Sequence, residues 1–113
     1  MNFDGYYPDG WSIIKLSDTD YRVYSGFRGG YIESDRWRTN SGISRVGLTK
    51  EGYIVEGDSG TAYKLDLDLH DNFTMYLAGT LQDICRVNNA TVLSEEEAMD
   101  YLNGLVLKSG NGG

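Results

Sequence analysis

The residues able to do chemistry are few, and their spacing argues against a reaction. His70 is the only histidine and Cys85 the only cysteine. A serine triad would need His70 as its base, and no Gly-x-Ser-x-Gly stretch presents a nucleophile. Cys85 falls on the apolar side of a predicted helix with only Arg86 as a basic neighbour, so it reads as a packed thiol. His70 closes a predicted strand and reads as exposed, without a catalytic task. Asp66, Asp68 and His70 would project from one face of that strand, with successive members about 7 Å apart, too wide to chelate one ion. The run also lacks the glycine and distal glutamate of an EF-hand loop and reads as a solvated face. Glu33 and Asp35 share a face, but no carboxylate pair sits at glycosidase spacing. A non-enzyme without metal or cofactor is expected, a hydrolase using Cys85 or His70 being the alternative.

One segment carries binding chemistry. Ser25-Gly26-Phe27-Arg28-Gly29-Gly30-Tyr31 joins a glycine-rich loop to an arginine and two aromatics. Exposed amides in such a loop cradle anions, and Arg28 can grip a phosphate with two hydrogen bonds. Arg36 and Arg38 flank Trp37 on the opposite strand face, where they can pair with or stack on a nucleotide. Arg28, Tyr31, Arg36, Trp37 and Arg38 are therefore the candidate residues for a small anionic ligand. The segment is no P-loop, since Gly-Lys-Ser/Thr is missing, and turn geometry also explains its glycines.

The chain has a net charge of −7, unevenly spread. Lys15 to Lys50 holds seven basic residues against four acids, and residues 51–113 hold three against eleven. The acidic half repels nucleic acid and attracts a basic surface. Asp58, Asp66, Asp68, Asp71, Glu95 and Glu96 are its candidate contact residues, with exposed tyrosines, of nine in the chain, adding contact area.

The elements that must position these residues are mostly short strands. At 113 residues and 40% apolar, the chain reads as one domain over 1–108 with a flexible tail over 109–113. One cysteine allows no internal disulfide and suits a reducing cytoplasm. No long apolar run predicts a membrane span, and the start does not resemble a signal peptide. Strands are expected at 11–16, 21–27, 31–32, 35–39, 43–48, 53–56 and from Tyr63 to Leu69, where apolar and polar residues alternate. The turns Asn40-Ser41-Gly42 and Asp58-Ser59-Gly60 recur 18 residues apart, each placing a glycine where positive φ is needed. Residues 73–77 fit either a strand or a helix start. A helix is expected from Thr80 to Val87, ended by Asn88-Asn89. A second starts at Ser94, which forms a capping box with Glu97, and stops at Asn103-Gly104. Leu105 to Leu107 would return as an edge strand able to pair with a second copy. The class is α+β: a curved antiparallel sheet or small, partly open barrel with one or two C-terminal helices.

Trp37-Arg38-Thr39-Asn40-Ser41-Gly42-Ile43 with Asp58-Ser59-Gly60-Thr61-Ala62-Tyr63-Lys64-Leu65 resembles small reading frames of bacteriophage and prophage genomes. That resemblance implies a compact accessory protein of the anti-CRISPR-like type, which inhibits host defences in the bacterial cytoplasm. The expected function is non-catalytic docking on a host protein with a basic surface, without direct nucleic-acid or membrane binding. The alternative is sequestration of a small anionic nucleotide through the Gly26–Tyr31 loop and Arg36, Trp37 and Arg38.

Overall fold

The computed structural model describes residues 5–29 and 34–109. Among these residues seven strands and two longer helices follow in chain order: β1 (Gly10–Ser17), β2 (Asp20–Phe27), β3 (Arg36–Thr39), β4 (Arg45–Leu48), β5 (Gly52–Glu56), β6 (Ala62–Asp66), α1 (Met75–Asn88), β7 (Thr91–Val92) and α2 (Glu95–Ser109). The strands form two antiparallel sheets, ordered β3-β2-β1-β7 and β4-β5-β6. The α+β class expected from the sequence is the one observed, and neither sheet closes into a barrel. Gly30, Tyr31, Ile32 and Glu33, with the strand expected at 31–32, lie outside the described residues.

The four-stranded sheet is apolar on both faces, which divides the interior into two cores. Trp11, Ile13 and Val23 face β4-β5-β6 and pack with Val46, Tyr53, Val55, Tyr63 and Leu65. Leu93, between β7 and α2, and Ala98 and Leu102 on the stripe of α2 close that core. Ile14 and Tyr24 point the other way and pack against Leu81 of α1, with Ile84 and Cys85 beside them. Alternation along β1 and β2 produces both cores at once.

Paired glycines set how closely α1 approaches. Gly10 and Gly26 face each other across β1 and β2. A Cβ on Gly10 would fall 2.0 Å from the Asn72 carbonyl oxygen, and one on Gly26 2.9 Å from Leu77 Cδ1. The segment leading into α1 therefore lies directly on bare backbone. Gly26 belongs to a buried strand position, so the loop expected from Gly26 starts only after Phe27.

The twin turns dock on one another. Gly42 and Gly60 both have positive φ, 121° and 90°. Ser41 Oγ accepts from the Ser59 amide at 3.1 Å, and Asp58 accepts from the Ser44 hydroxyl beside Gly42. Asn40 is buried, accepts from the Val23 amide at 2.9 Å and donates to the Gly42 carbonyl at 2.8 Å. These bonds fasten the chain leaving β3 to the turn between β5 and β6.

Three expectations are corrected. The strand from Tyr63 stops at Asp66, and Leu67–Leu69 is a 3-10 turn. Its partner β5 runs out at Gly52, which pairs with Asp66, and the Asp66 side chain accepts from the Asp68 amide and turns the chain. Asp66, Asp68 and His70 consequently do not share a strand face. Helix α1 begins at Met75, capped by Thr74, not at Thr80. Helix α2 continues through Asn103-Gly104 to Ser109, so Leu105 to Leu107 is helical and the edge strand proposed for self-pairing does not form. Ser109, placed in the tail, is the last helical residue, and residues 110–113 lie outside the described residues.

Candidate functional site

Three of the five arginines of the front half converge. Arg28, Arg36, Trp37 and Arg38 line one cleft of about 420 Å³ together with Tyr6, Phe27, Gly29 and Ser34. Phe27 ends β2 and Arg28 follows it, and the other two arginines come from β3 across the pair Phe27–Arg36. Tyr6 arrives from the N-terminal segment, which adds to the free side of β6: the Tyr6 amide donates to Ala62 and the Tyr6 carbonyl accepts from Lys64. The Tyr6 ring stacks on Tyr63 at 5.3 Å and tilts against Phe27 at 5.9 Å. Arg38 lies over the Tyr6 ring, 4.2 Å from its centroid, and donates to the Tyr6 hydroxyl. The cleft thus has an aromatic floor and guanidinium walls. Tyr6 was not singled out in the sequence; its only signal there is the aromatic pair Tyr6-Tyr7 before Pro8.

Two of the loop amides are occupied within the protein. Arg28 N–H donates to Asp9 Oδ2 at 2.9 Å, and Gly29 N–H donates to Asp35 Oδ1 at 3.0 Å. The Arg28 and Gly29 amides are thus taken by the protein's own carboxylates, Gly30 and Tyr31 lie outside the described residues, and among the described residues the guanidinium groups are what the cleft offers an anion. Asp35 accepts a second bond at 2.6 Å from the hydroxyl of Thr74, the cap of α1. That hydroxyl bond, then the Gly29 amide, holds the Asp35 carboxyl below its ordinary range. Asp35 is a clasp between the cleft rim and α1. Arg28 donates from one Nη to Asn72 Oδ1 at 3.2 Å. Trp37 contributes to the wall, but its ring is stacked on Tyr24 at 6.0 Å on the α1 side of the sheet. Tyr31 lies outside the described residues.

The acidic candidates are scattered in their tasks. Asp58 belongs to the docked turns, Asp66 caps the 3-10 turn, and Asp71, at φ 63°, accepts from Ser12 Oγ at 3.3 Å. Asp68, Glu95 and Glu96 are exposed and enter no ion pair among the described residues. The tyrosines are equally divided in role. Tyr24, Tyr53 and Tyr63 are buried, whereas Tyr7 and Tyr76 are exposed. The Tyr24 hydroxyl donates to the Leu77 carbonyl and the Tyr53 hydroxyl to Asn103 Oδ1, both at 2.7 Å.

His70 and Cys85 are held apart. Cys85 is half-buried in the α1 core, and burial pushes its thiol above the ordinary value. His70 packs edge-on against Trp11 of the other core, with ring centroids 4.7 Å apart. It is half-buried, not exposed as expected at a strand end, and its buried Nε2 has no hydrogen-bond partner among the described residues. Among the described residues no three His, Cys, Asp or Glu side chains converge as a metal-holding group, and no helix is long and apolar enough to cross a membrane. Neither a family model, nor a curated protein, nor a solved structure matches the chain.

Proposed function

We propose that the protein is a non-catalytic binder of a small anionic ligand of the nucleotide class, held in the cleft between β3 and the N-terminal segment. The observation that carries this reading is the convergence of Arg28, Arg36 and Arg38 around an aromatic floor in one concave site. Guanidinium forks match phosphate geometry and hold charge at any physiological pH. An open volume of 420 Å³ lies within the range of small-molecule sites. The test is thermal unfolding in the presence of nucleoside mono-, di- and triphosphates. A ligand at a hundred times its dissociation constant adds about 2.7 kcal/mol, a shift of several degrees for a domain of this size. Arg28→Ala should remove most of that shift while leaving the unliganded transition in place. No shift with any anion in the panel would overturn the reading.

A second reading retains the expectation of a phage-type inhibitor that docks on a basic host protein. The carboxylates of Asp68, Glu95 and Glu96, exposed and in no ion pair among the described residues, favour it. Asp68→Lys is the informative reversal, because Asp66 also caps the 3-10 turn and its change would disturb the fold. The reversed protein should associate more slowly with such a partner at low salt. Association indifferent to both salt and Asp68→Lys would remove this reading and leave the arginine cleft.

A further inference from the structure

The outer edge of β3 is unpaired among the described residues. β3 ends the four-stranded sheet, and the Asn40 amide donates to the Val23 carbonyl at 3.2 Å. That bond fixes the phase of the antiparallel ladder: Arg38 and Arg36 exchange hydrogen bonds with Ser25 and Phe27, while Trp37 and Thr39 turn their N–H and C=O groups outward. Among the described residues no backbone group pairs with these outward groups. Such an edge is a template for another strand.

Its two faces differ in chemistry. Trp37 and Thr39 project toward α1, and Arg36 and Arg38 toward the second sheet. Trp37 is 41% exposed, and Met75 and Tyr76 on the first turn of α1 are 92% and 57% exposed. The bond from Thr74 to Asp35 anchors that turn to the residue preceding β3. The Tyr24 hydroxyl donates to the carbonyl of Leu77, the residue after Tyr76, and Trp37 stacks on the Tyr24 ring, so these aromatics share one corner. Trp, Tyr, Met and Arg are the residues that protein interfaces favour.

We propose that β3 accepts an extended segment of a partner protein in which apolar and acidic residues alternate. An added strand alternates as β3 does, so its apolar side chains would cover Trp37 and reach toward Tyr76, and its carboxylates would meet Arg36 and Arg38. A second copy of this chain is a poor occupant, because two β3 edges would set arginine against arginine. The inference goes beyond the anion reading, since the outward backbone groups take no part in holding a small ligand in the cleft.

The test uses the whole protein and three short synthetic peptides: glutamate alternating with valine, the same composition in blocks, and lysine alternating with valine. The alternating acidic peptide should shield Trp37 from acrylamide quenching, while Trp11, fully buried, stays silent. It should slow amide exchange at Trp37 and Thr39 about tenfold and leave Arg38, already bonded to β2, unchanged. Thr39→Pro removes one outward N–H without touching the β2 ladder and should weaken the peptide about tenfold, with Thr39→Val as the control that keeps it. If Thr39→Pro does not fold, the exchange pattern in the wild type decides alone. Arg28→Ala, outside β3, should weaken nucleotide binding and spare peptide protection, which separates failure of this inference from failure of the cleft reading. Equal binding of blocked and alternating peptides, or binding without protection of Trp37 and Thr39, would overturn it, as would no effect of any peptide.

Discussion

Gly42 and Gly60 follow serine in two turns of the same design, yet their surroundings give them different weights. Both take positive φ, which an alanine resists. A Cβ on Gly60 meets nothing within 4 Å, whereas one on Gly42 would fall 2.5 Å from Asp58 Oδ2. Asp58 cannot yield freely, because it holds the Ser44 hydroxyl. Gly60→Ala should therefore cost about 1 kcal/mol of backbone strain, and Gly42→Ala about 2 kcal/mol or more. Urea denaturation of the two variants measures the difference; equal losses would mean the turn-to-turn contact carries no strain. Asn40 binds the same corner and is 5% exposed, with its amide group joining β2 to the Gly42 carbonyl. Asn40→Ala strands the Val23 amide in the interior and should cost about 2–3 kcal/mol. The sequence shows that both glycines turn the chain. Their docking on each other is invisible there, because nothing in either tetrapeptide names the other as its partner.

Element limits were legible where a local signal sets them and obscure where a neighbour does. Ser94 and Glu97 exchange the two bonds of a capping box, Ser94 N–H to Glu97 Oε1 at 2.8 Å and Glu97 N–H to Ser94 Oγ at 3.2 Å. That start is written in four consecutive residues. The far end of α2 is not: Asn103-Gly104 reads as a stop, but Ala98, Tyr101, Leu102, Leu105 and Val106 continue one stripe against the core. The Tyr53 hydroxyl holds Asn103 as well. Packing thus overrides the local preference for termination. Gly104 is a helix-interior residue with nothing within 4 Å of its Cβ position, so Gly104→Ala should stabilise the protein by about 0.5–1 kcal/mol. A loss of stability there would contradict a continuous α2. The β6 limit has the same origin, since Leu65 to Leu69 alternates beyond the point where β5 has residues left to pair. At the start of α2, the Ser94 amide, then its hydroxyl, lowers the Glu97 carboxyl. A lowered folded-state value means that this stabilisation is present above the unfolded value and is lost as pH falls through the folded one. Glu97→Gln should therefore flatten the acid limb of the stability–pH curve, measured by thermal unfolding below the ordinary glutamate range. An unchanged limb would show that the capping bond does not favour the charged form. The cleft was half legible for a related reason: Arg28, Arg36 and Arg38 stand out in a charge count, but Tyr6 reaches them through a bridge to Tyr63 that only the fold supplies.

Among the described residues the molecule has two cores, and β1 and β2 each enter both. Trp11 and Ile13 enter the core between the sheets, and Ile14 of the same strand enters the core beneath α1. The layers are also tied by polar bonds through Trp11: its Nε1–H donates to the Asp66 carbonyl at 2.7 Å, and its carbonyl accepts from Asp71 N–H at 2.8 Å. Moving β1 to release one core necessarily disrupts the other. Unfolding should accordingly be a single transition, with a slope of about 1–2 kcal/mol/M in urea. The two tryptophans make this measurable. Trp37→Phe leaves Trp11 as the only indole, so its emission reports the inter-sheet core alone, and far-UV circular dichroism reports α1 and α2 as well. Superimposable curves from the two signals are expected. A helical loss that precedes the Trp11 transition would show that α1 leaves before the sheets separate, and β1 would then not couple the cores. Trp11→Phe adds the complementary perturbation, removing the indole donor and leaving the Asp66 carbonyl unpaired in a closely packed site. It should lower stability by about 2–4 kcal/mol and shift both signals together, because the bond it breaks starts from a strand that enters both cores.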